Sequence, residues 1–141
     1  MLNNRSMPRA IVVPVLAYPD VGEAVAWLSA AFGFAERLRI GDHRAQMHIS
    51  EGAAMVVREG GSAGDGSANN LHTVMVRVED VQAHFERATA HGARVVHPPT
   101  DYPYGERQFT VIDLGGHSWT FSQTLNDVAP DTWGGVLREN V

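Results

Sequence analysis

Apolar residues along this chain follow the period of a strand in some segments and that of a helix in others, and the change from strand to helix period occurs twice. Stripes with helical spacing begin shortly after two short apolar segments. The stripe residues are Val21, Ala24, Val25 and Leu28 in the first half, and Val81, Phe85 and Ala88 in the second. Asp20 and Asp80 precede the stripes and are expected N-caps, since a short carboxylate accepts backbone N–H bonds there. Gly33 and Gly92 follow them, where a helix end favours positive φ.

Short segments typical of strands follow each predicted helix. They read AERLRI, RAQMHIS and AAMVVRE in the first half, and ARVVH, RQFTVID and SWTFSQ in the second. Together with the apolar segment before each helix, this predicts two βαβββ modules, over residues 10–59 and 71–123. The Gly/Ser/Asn-rich residues 60–70 are interpreted as a linker and residues 124–141 as an irregular tail.

The predicted fold class is α+β. One βαβββ module cannot bury both faces of its sheet, so we expect the two modules to pair into a curved, partly open mixed sheet. The helices would cover the convex face, and the concave face would line a cavity. A concave, mostly apolar cleft is the usual form of a small-molecule site.

Composition excludes several classes of protein. The 141 residues carry a formal net charge of −5, and the 11 basic residues are scattered, so no nucleic-acid surface is expected. The absence of cysteine excludes disulfides, thiolate metal sites and cysteine nucleophiles. The first ten residues lack the apolar core of a signal peptide, and no apolar run is long enough to span a membrane. We therefore expect a soluble cytoplasmic protein.

Motifs at the module boundaries carry a family resemblance. YPD and VED before the helices, and the closing YGERQFTVIDLGGHSWTF, resemble the vicinal oxygen chelate superfamily over Ala10 to Gln123. That superfamily contains glyoxalase I, extradiol dioxygenases, and bleomycin and fosfomycin resistance proteins. The closing signature is similar to that of bacterial bleomycin-resistance and glyoxalase-like proteins. It is filled by Tyr104, Gly105, Arg107, Asp113, Gly116, His117, Trp119 and Phe121. The resemblance implies a small-molecule ligand and a homodimer in which modules of two chains build each cavity.

The resemblance also implies where a metal ion would be bound in the metal-using members. The corresponding positions hold Val13, a residue near Val56, Thr73 and Thr120. None is a histidine or a carboxylate, the residue types that zinc and non-haem iron sites use in a chain without cysteine. We therefore predict no bound metal and no cofactor.

His72 is the histidine nearest to one of these positions. The valines of the segment 74–78 share one strand face, the natural one to pack under a helix, and His72 has their parity. Thr73 and Met75 share the other face. A β-bulge would shift His72 by one position and permit ligation, so this alternative stays open. By the same alternation, Thr120 faces the cavity and its neighbours Trp119 and Phe121 face the helices.

Polar and aromatic side chains supply the candidate ligand contacts. Gln46 and His48 share parity and would form a polar pair in the cavity, unless they belong to a solvated strand face. Tyr102, Tyr104 and Arg107 lie in one loop, where rings and a planar guanidinium would clamp a flat, partly anionic molecule. The alternative is structural, with Arg107 paired to a carboxylate such as Asp113 or Glu106. The predicted ligand-binding set is Val13, Gln46, His48, Thr73, Met75, Tyr102, Tyr104, Arg107 and Thr120.

Three functional hypotheses follow. The leading one is metal-free binding or sequestration of an aromatic or antibiotic-like compound. The alternative is a metal-dependent glyoxalase-like lyase or isomerase, or a dioxygenase, using off-register ligands such as His72, Gln46 or His48. A third is metal-free catalysis with Arg107 and Tyr104 as electrostatic and proton-transfer groups. The sequence leaves open whether the protein is an enzyme.

Overall fold

The computed structural model describes residues 1–61 and 71–138, so the predicted linker 60–70 falls almost entirely outside the described residues. The first half holds β1 (Val15–Tyr18), α1 (Val21–Phe32), β2 (Ala35–Ile40), β3 (Arg44–Ser50) and β4 (Ala53–Glu59). The second half holds β5 (Val74–Arg77), α2 (Val81–Ala90), β6 (Arg94–Asp101), β7 (Glu106–Ile112) and β8 (Ser118–Thr124). The repeated βαβββ order is as predicted. In the tail, Pro130–Thr132 form a 3₁₀ turn.

Each half folds its four strands into a separate sheet. The strand orders are β1-β4-β3-β2 and β5-β8-β7-β6. The first strand of each module pairs in parallel with the last, and the other pairings are antiparallel. Both sheets are therefore mixed and open, which confirms the α+β class and the paired-module architecture.

Local chemistry accounts for the helix boundaries. Asp20 and Asp80 are the N-caps, and their carboxylates accept from the backbone N–H groups three residues later at 2.9 and 3.0 Å. Gly33 caps α1 with φ 77°, as predicted. Helix α2 ends differently: His91 is its C-cap with φ −101°, and the positive φ of 87° falls one residue later at Gly92.

The helices lie between the two sheets. One continuous core contains the helix-facing side chains of both, including Met47 and Met55 from the first sheet and Trp119 and Phe121 from the second. Phe32, the last residue of α1, brings its ring centroid within 5.5 Å of Trp119 and 5.0 Å of Phe121. Helix α1 also contacts α2. The other face of each sheet, which we call its open face, is therefore turned outward, and the two open faces do not meet within one chain.

Hydrogen bonds between the helices join the halves as well. Arg87 of α2 donates to the carbonyls of Ala30 at 2.7 Å and Ser29 at 3.1 Å in the last turn of α1. A cation at that end of a helix satisfies free carbonyls and complements the helix dipole. Trp27 Nε1 donates to the carbonyl of His91 at 2.8 Å. Neither helix of the described ranges has the length and apolar character needed to cross a bilayer.

Candidate functional site

The open face of the second sheet carries a field of hydroxyl and amide groups. Strand alternation places on it Thr73, Met75, Arg77, Glu106, Gln108, Thr110, Ser118, Thr120 and Ser122. Their sequence neighbours Phe109, Trp119 and Phe121 are buried in the core on the other face. Met75 is 59% exposed, so an apolar side chain stands at the β5 edge of a mainly polar surface.

These polar groups bond to one another in pairs across the strands. Thr73 and Ser118 join their hydroxyls at 2.7 Å, and so do Thr110 and Thr120. A hydroxyl has one donor and two acceptor sites, so each pair keeps free acceptor capacity after forming its mutual bond. Thr120 and Ser122 are only 7% and 3% exposed, so further hydrogen-bonding groups can reach the network through Thr73 and Thr110, which are more accessible.

Ser122 extends this network toward charged groups. Its hydroxyl donates to Glu106 Oε1 at 2.7 Å and accepts from Gln108 Nε2 at 3.1 Å. At the same end, Arg77 Nη2 donates to Thr124 Oγ1 at 2.9 Å. The alternation that places Met75 and Thr120 on this face extends to Arg77 and Ser122, whereas Glu106, Gln108 and Thr110 of β7 were not predicted as site residues. The same alternation applied to β7 would have found these three residues.

The side chains at the positions implied for a metal do not form a donor set for one. Val13 and Val56 have no ligating atom, and Thr73 and Thr120 contribute neutral hydroxyls that already bond to neighbouring hydroxyls. Divalent transition metals in proteins take imidazole, carboxylate or thiolate ligands. Across residues 1–61 and 71–138, no group of three or more His, Asp or Glu side chains is placed to hold a metal ion. We therefore derive no chemistry through a metal.

His72 is exposed and lies two residues before β5. From Val74 to Arg77 the pairing of β5 with β8 runs without a register shift. The bulge that would turn His72 toward the open face is therefore absent from the paired residues. Alternation gives His72 the parity of Val74, away from Thr73.

The open face of the first sheet holds Gln46 and His48, which the sequence predicted as a pair. Gln46 instead accepts a hydrogen bond from Arg37 Nη1 at 2.5 Å, while His48 is exposed. Arg37 reaches Gln46 because the register between β2 and β3 shifts at this residue, and a bulge redirects a side chain. Alternation along β2 does not reveal that shift. Val13 precedes β1 beside this face and is half-buried.

The loop between β6 and β7 forms an aromatic cluster with the tail. Tyr102 and Tyr104 stack with their ring centroids 5.3 Å apart, and Trp133 meets Tyr104 edge-on at 5.4 Å. Gly105 has φ 84°, and a Cβ there would lie 2.2 Å from the carbonyl oxygen of Asn126. The turn thus requires glycine for its backbone and for the docking of the tail.

Arg107 lies beside this loop but points to the other side of the sheet. It shares its face of β7 with Phe109, and it forms a two-pronged ion pair with Asp101 at 2.6 and 3.1 Å. That arrangement resembles the structural alternative considered for Arg107, with Asp101 as the partner in place of Asp113 or Glu106. Among the predicted site residues of the second half, the open face holds Thr73, Met75 and Thr120.

Asp113 of the closing signature forms a buried polar centre between the halves. Its carboxylate accepts from the hydroxyl of Tyr18 at 2.5 Å and from Trp119 Nε1 at 3.0 Å. It also accepts from the backbone N–H groups of Gly115 at 2.9 Å and His117 at 3.0 Å. Three residues of the signature, Asp113, His117 and Trp119, take part in these bonds, which fold one hairpin and attach it to β1.

His117 completes this centre. Its Nε2 donates to the carbonyl of Ala17 in β1 at 2.7 Å, and its ring lies 4.8 Å from that of Tyr18. Nδ1 of the same ring is buried without a hydrogen-bond partner. His117 therefore has a structural position here, between the two halves of the chain.

Alkaline pH is expected to destabilise the protein through Tyr18. Burial, and then the adjacent Asp113 carboxylate, raise the pKa of its hydroxyl far above the ordinary value of 10. Above pH 10 the unfolded chain releases this proton and the folded chain keeps it, so stability should fall by about 1.4 kcal/mol per pH unit. The sequence has no lysine or cysteine to titrate in this range. Urea unfolding at pH 8, 10 and 11 measures the slope.

Tyr18→Phe is the variant that should remove most of this slope, because it removes the proton that the folded state retains. Tyr104→Phe is the matched control. Desolvation also raises the pKa of the Tyr104 hydroxyl, but this residue lies in a surface loop, so its substitution should change the slope less than Tyr18→Phe does. An unchanged slope in Tyr18→Phe would show that another group causes the alkaline loss.

Comparison with known proteins places the chain among proteins of one family. The sequence model described as Glyoxalase/Bleomycin resistance protein/Dioxygenase superfamily matches residues 10–121. The crystal structure of TioX from Micromonospora sp. ML1 is 41% identical, covering 81% of this chain and 99% of that one, with a TM-score of 0.64. The fosfomycin resistance protein FosX from Listeria monocytogenes shares the fold at 18% identity, 83% and 94% coverage and a TM-score of 0.66.

Curated relatives match over a shorter region. Two uncharacterised mycobacterial proteins, Mb0911c of Mycobacterium bovis and Rv0887c of Mycobacterium tuberculosis, are each 39% identical over 59 residues, which is 42% of this chain. The match covers 39% and 35% of their own lengths. The chain thus aligns with less than two fifths of the curated relatives that it matches.

Proposed function

The chain belongs to the glyoxalase/bleomycin resistance protein/dioxygenase superfamily, and on this premise we propose that it binds an aromatic or antibiotic-like small molecule without a metal ion. The open face of the second sheet is the proposed binding surface. The observation that carries the proposal is the paired hydroxyl and amide network on that face, centred on Thr120 and Ser122. Binding and sequestration of a compound need such recognition groups but no catalytic residue.

The chemistry of this face supports a polar, flat ligand. Thr73, Thr110 and Thr120 offer hydroxyls with free acceptor capacity, and Arg77 adds a cation at one end. The Tyr102–Tyr104 stack adjoins the same end, since the N–H of Tyr102 donates to the carbonyl of Glu106 at 2.8 Å. Aromatic rings at the edge of a polar surface favour planar ligands.

A homodimer is part of this proposal. The two open faces of one chain point away from each other, so a cavity needs a second surface to close it. The first open face of another copy, around Gln46 and His48, is the natural complement. Exposed Val15 and Met75, at 48% and 59%, stand on the outer strands of the two open faces and would be covered by such pairing.

A binding screen on protein treated with a chelator tests the proposal. We expect at least one planar aromatic antibiotic to raise the melting temperature, because a ligand that binds only the folded state stabilises it. Divalent metal ions form the second arm of the screen. Metal-stimulated turnover of a glyoxalase substrate, or tight metal binding abolished by His72→Ala, would replace the proposal with the metal-dependent alternative.

Thr120→Val is expected to weaken binding of a hit by about tenfold, equivalent to 1.4 kcal/mol, because it removes the hydroxyl that bonds to Thr110 and orients it on the open face. The valine is close in volume, so the sheet should keep its packing. Thr89→Val on α2 is the matched control, since the Thr89 hydroxyl bonds to backbone carbonyls within the helix. Calorimetric titration of both variants measures the difference, and equal affinities would place the ligand elsewhere.

A further inference from the structure

The N-terminal residues 1–11, which we call the strap, lie across the open face of the first sheet. Gln46 Nε2 donates to the carbonyl of Ser6 at 2.8 Å, and Arg37 Nη2 donates to the carbonyl of Arg5 at 2.8 Å. These bonds join residues 40 and 32 positions apart in sequence. Side chains of the sheet therefore hold the strap by donating hydrogen bonds to the carbonyls of two successive strap residues.

The donors of this contact are built into the sheet. Gln46 is only 5% exposed although it lies on an open face. The register shift between Glu36 and Leu38 directs Arg37 toward it. Neither Arg37 nor Gln46 has a carboxylate partner in the described residues. The pair would need other acceptors if the strap left, because a buried unsatisfied donor is costly.

The strap is loosely packed. A half-open pocket of about 620 Å³ is lined by its own residues and by Gly52 of the β3–β4 turn. Met1, Leu2 and Ile11 of the strap are more than 80% exposed. A segment with few buried apolar contacts opens at low free-energy cost, so the strap can leave without unfolding the sheet.

Charge on the two open faces indicates what can take the place of the strap. Alternation puts Arg37, Arg44 and Arg58 on the first open face and no carboxylate within its strands. The second open face offers Glu106 and a row of hydroxyl acceptors on its two central strands, and its arginines, Arg77 and Arg94, lie on the two outer strands. The donors of the first face and the central acceptors of the second are complementary between two copies of the chain.

We propose that the strap is a displaceable cover of the first open face, and that it leaves when the second open face of another copy pairs with the Arg37–Gln46 surface. This inference rests on the proposed homodimer. The strap then competes with dimer formation and sets the concentration at which the ligand cavity assembles.

Trypsin cleavage of the full chain tests the strap. Arg5 supplies the carbonyl that Arg37 holds, so the peptide bond after Arg5 is protected while the strap is docked. Gln46→Ala should raise the rate of that cleavage about tenfold, since losing 1.4 kcal/mol of docking raises the open population by that factor. Gln82→Ala is the matched control, since the Gln82 side chain bonds to Glu86 within α2, and it should leave the rate unchanged. Mass spectrometry identifies the cleaved bond.

Sedimentation velocity supplies the second readout. The wild-type chain should form dimers whose strap is cleaved faster than that of the monomer. A dimer in which the bond after Arg5 stays protected, or a wild-type monomer cleaved as fast as Gln46→Ala, overturns the strap inference and leaves the homodimer standing. A chain that stays monomeric at every concentration refutes the homodimer, and it also refutes displacement of the strap by a second copy. Protection of the bond after Arg5 in that monomer would still show that the strap is docked on the first sheet.

Discussion

Asp113→Ala is expected to lower the free energy of unfolding by about 3 kcal/mol or more, because bonds to a buried charged acceptor contribute about 1.5–3 kcal/mol each. The carboxylate is 6% exposed and accepts from Tyr18, Trp119 and two backbone N–H groups. The variant leaves the Tyr18 and Trp119 donors buried without this acceptor. It also removes one of the two links between the β7–β8 hairpin and β1, the other being the bond from His117 to Ala17. Urea unfolding followed by tryptophan fluorescence measures the change.

Two further variants calibrate this result. Tyr18→Phe removes one donor and leaves the other three bonds, so its effect should be about half that of Asp113→Ala or less. Asp127→Ala is the surface control, and it should stay within about 0.5 kcal/mol of the wild type because Asp127 is exposed. If Asp113→Ala resembles Asp127→Ala, the buried centre does not stabilise the fold.

Elements that depend on neighbouring residues could be predicted from the sequence. Both helices begin after their aspartates because a carboxylate caps the third N–H, a relation confined to four residues. The strand faces of β5 and β8 follow from alternation, which placed Thr120 on the open face and Trp119 in the core. The repeated order of strand and helix segments predicted the two modules, and the family resemblance agrees with it.

Contacts between distant residues could not be predicted in this way. The Tyr18–Asp113 bond joins residues 95 positions apart, and the local sequence around either residue does not identify its partner. The Arg37 side chain is directed toward Gln46 by a register shift that strand alternation does not reveal. Arg107 pairs with Asp101 six residues earlier, across the β6–β7 hairpin, whose register decides which carboxylate it meets.

The placement of the two sheets has the largest consequence for function. Sequence alternation assigns an open face to each module, but it does not say whether those faces meet. The helices pack against each other and share one core, so the faces diverge and Gln46 lies apart from Thr120 within a chain. A cavity lined by both residues therefore requires two chains, which links the proposed binding function to assembly.

Phe32→Ala is expected to cost about 3–5 kcal/mol, the range for deleting a large buried aromatic side chain. Phe32 is 2% exposed, and its ring contacts Trp27 and Phe34 in the first half and Trp119 and Phe121 in the second. Because Phe32 lies where the two halves share their core, the cavity left by the substitution would weaken the contact between the halves. This loss is a substantial share of the about 5–15 kcal/mol by which a single domain is stable.

Phe32→Leu separates the cavity from the loss of the aromatic contacts. Leucine refills most of the volume, so this variant should cost less than half as much as Phe32→Ala. Far- and near-ultraviolet circular dichroism recorded along a urea titration checks whether the halves still unfold together. One shared transition in both variants, shifted far more in Phe32→Ala, is the expected result. Equal, small shifts would mean that the two halves are held together by the Arg87 and Asp113 hydrogen bonds rather than by the core at Phe32.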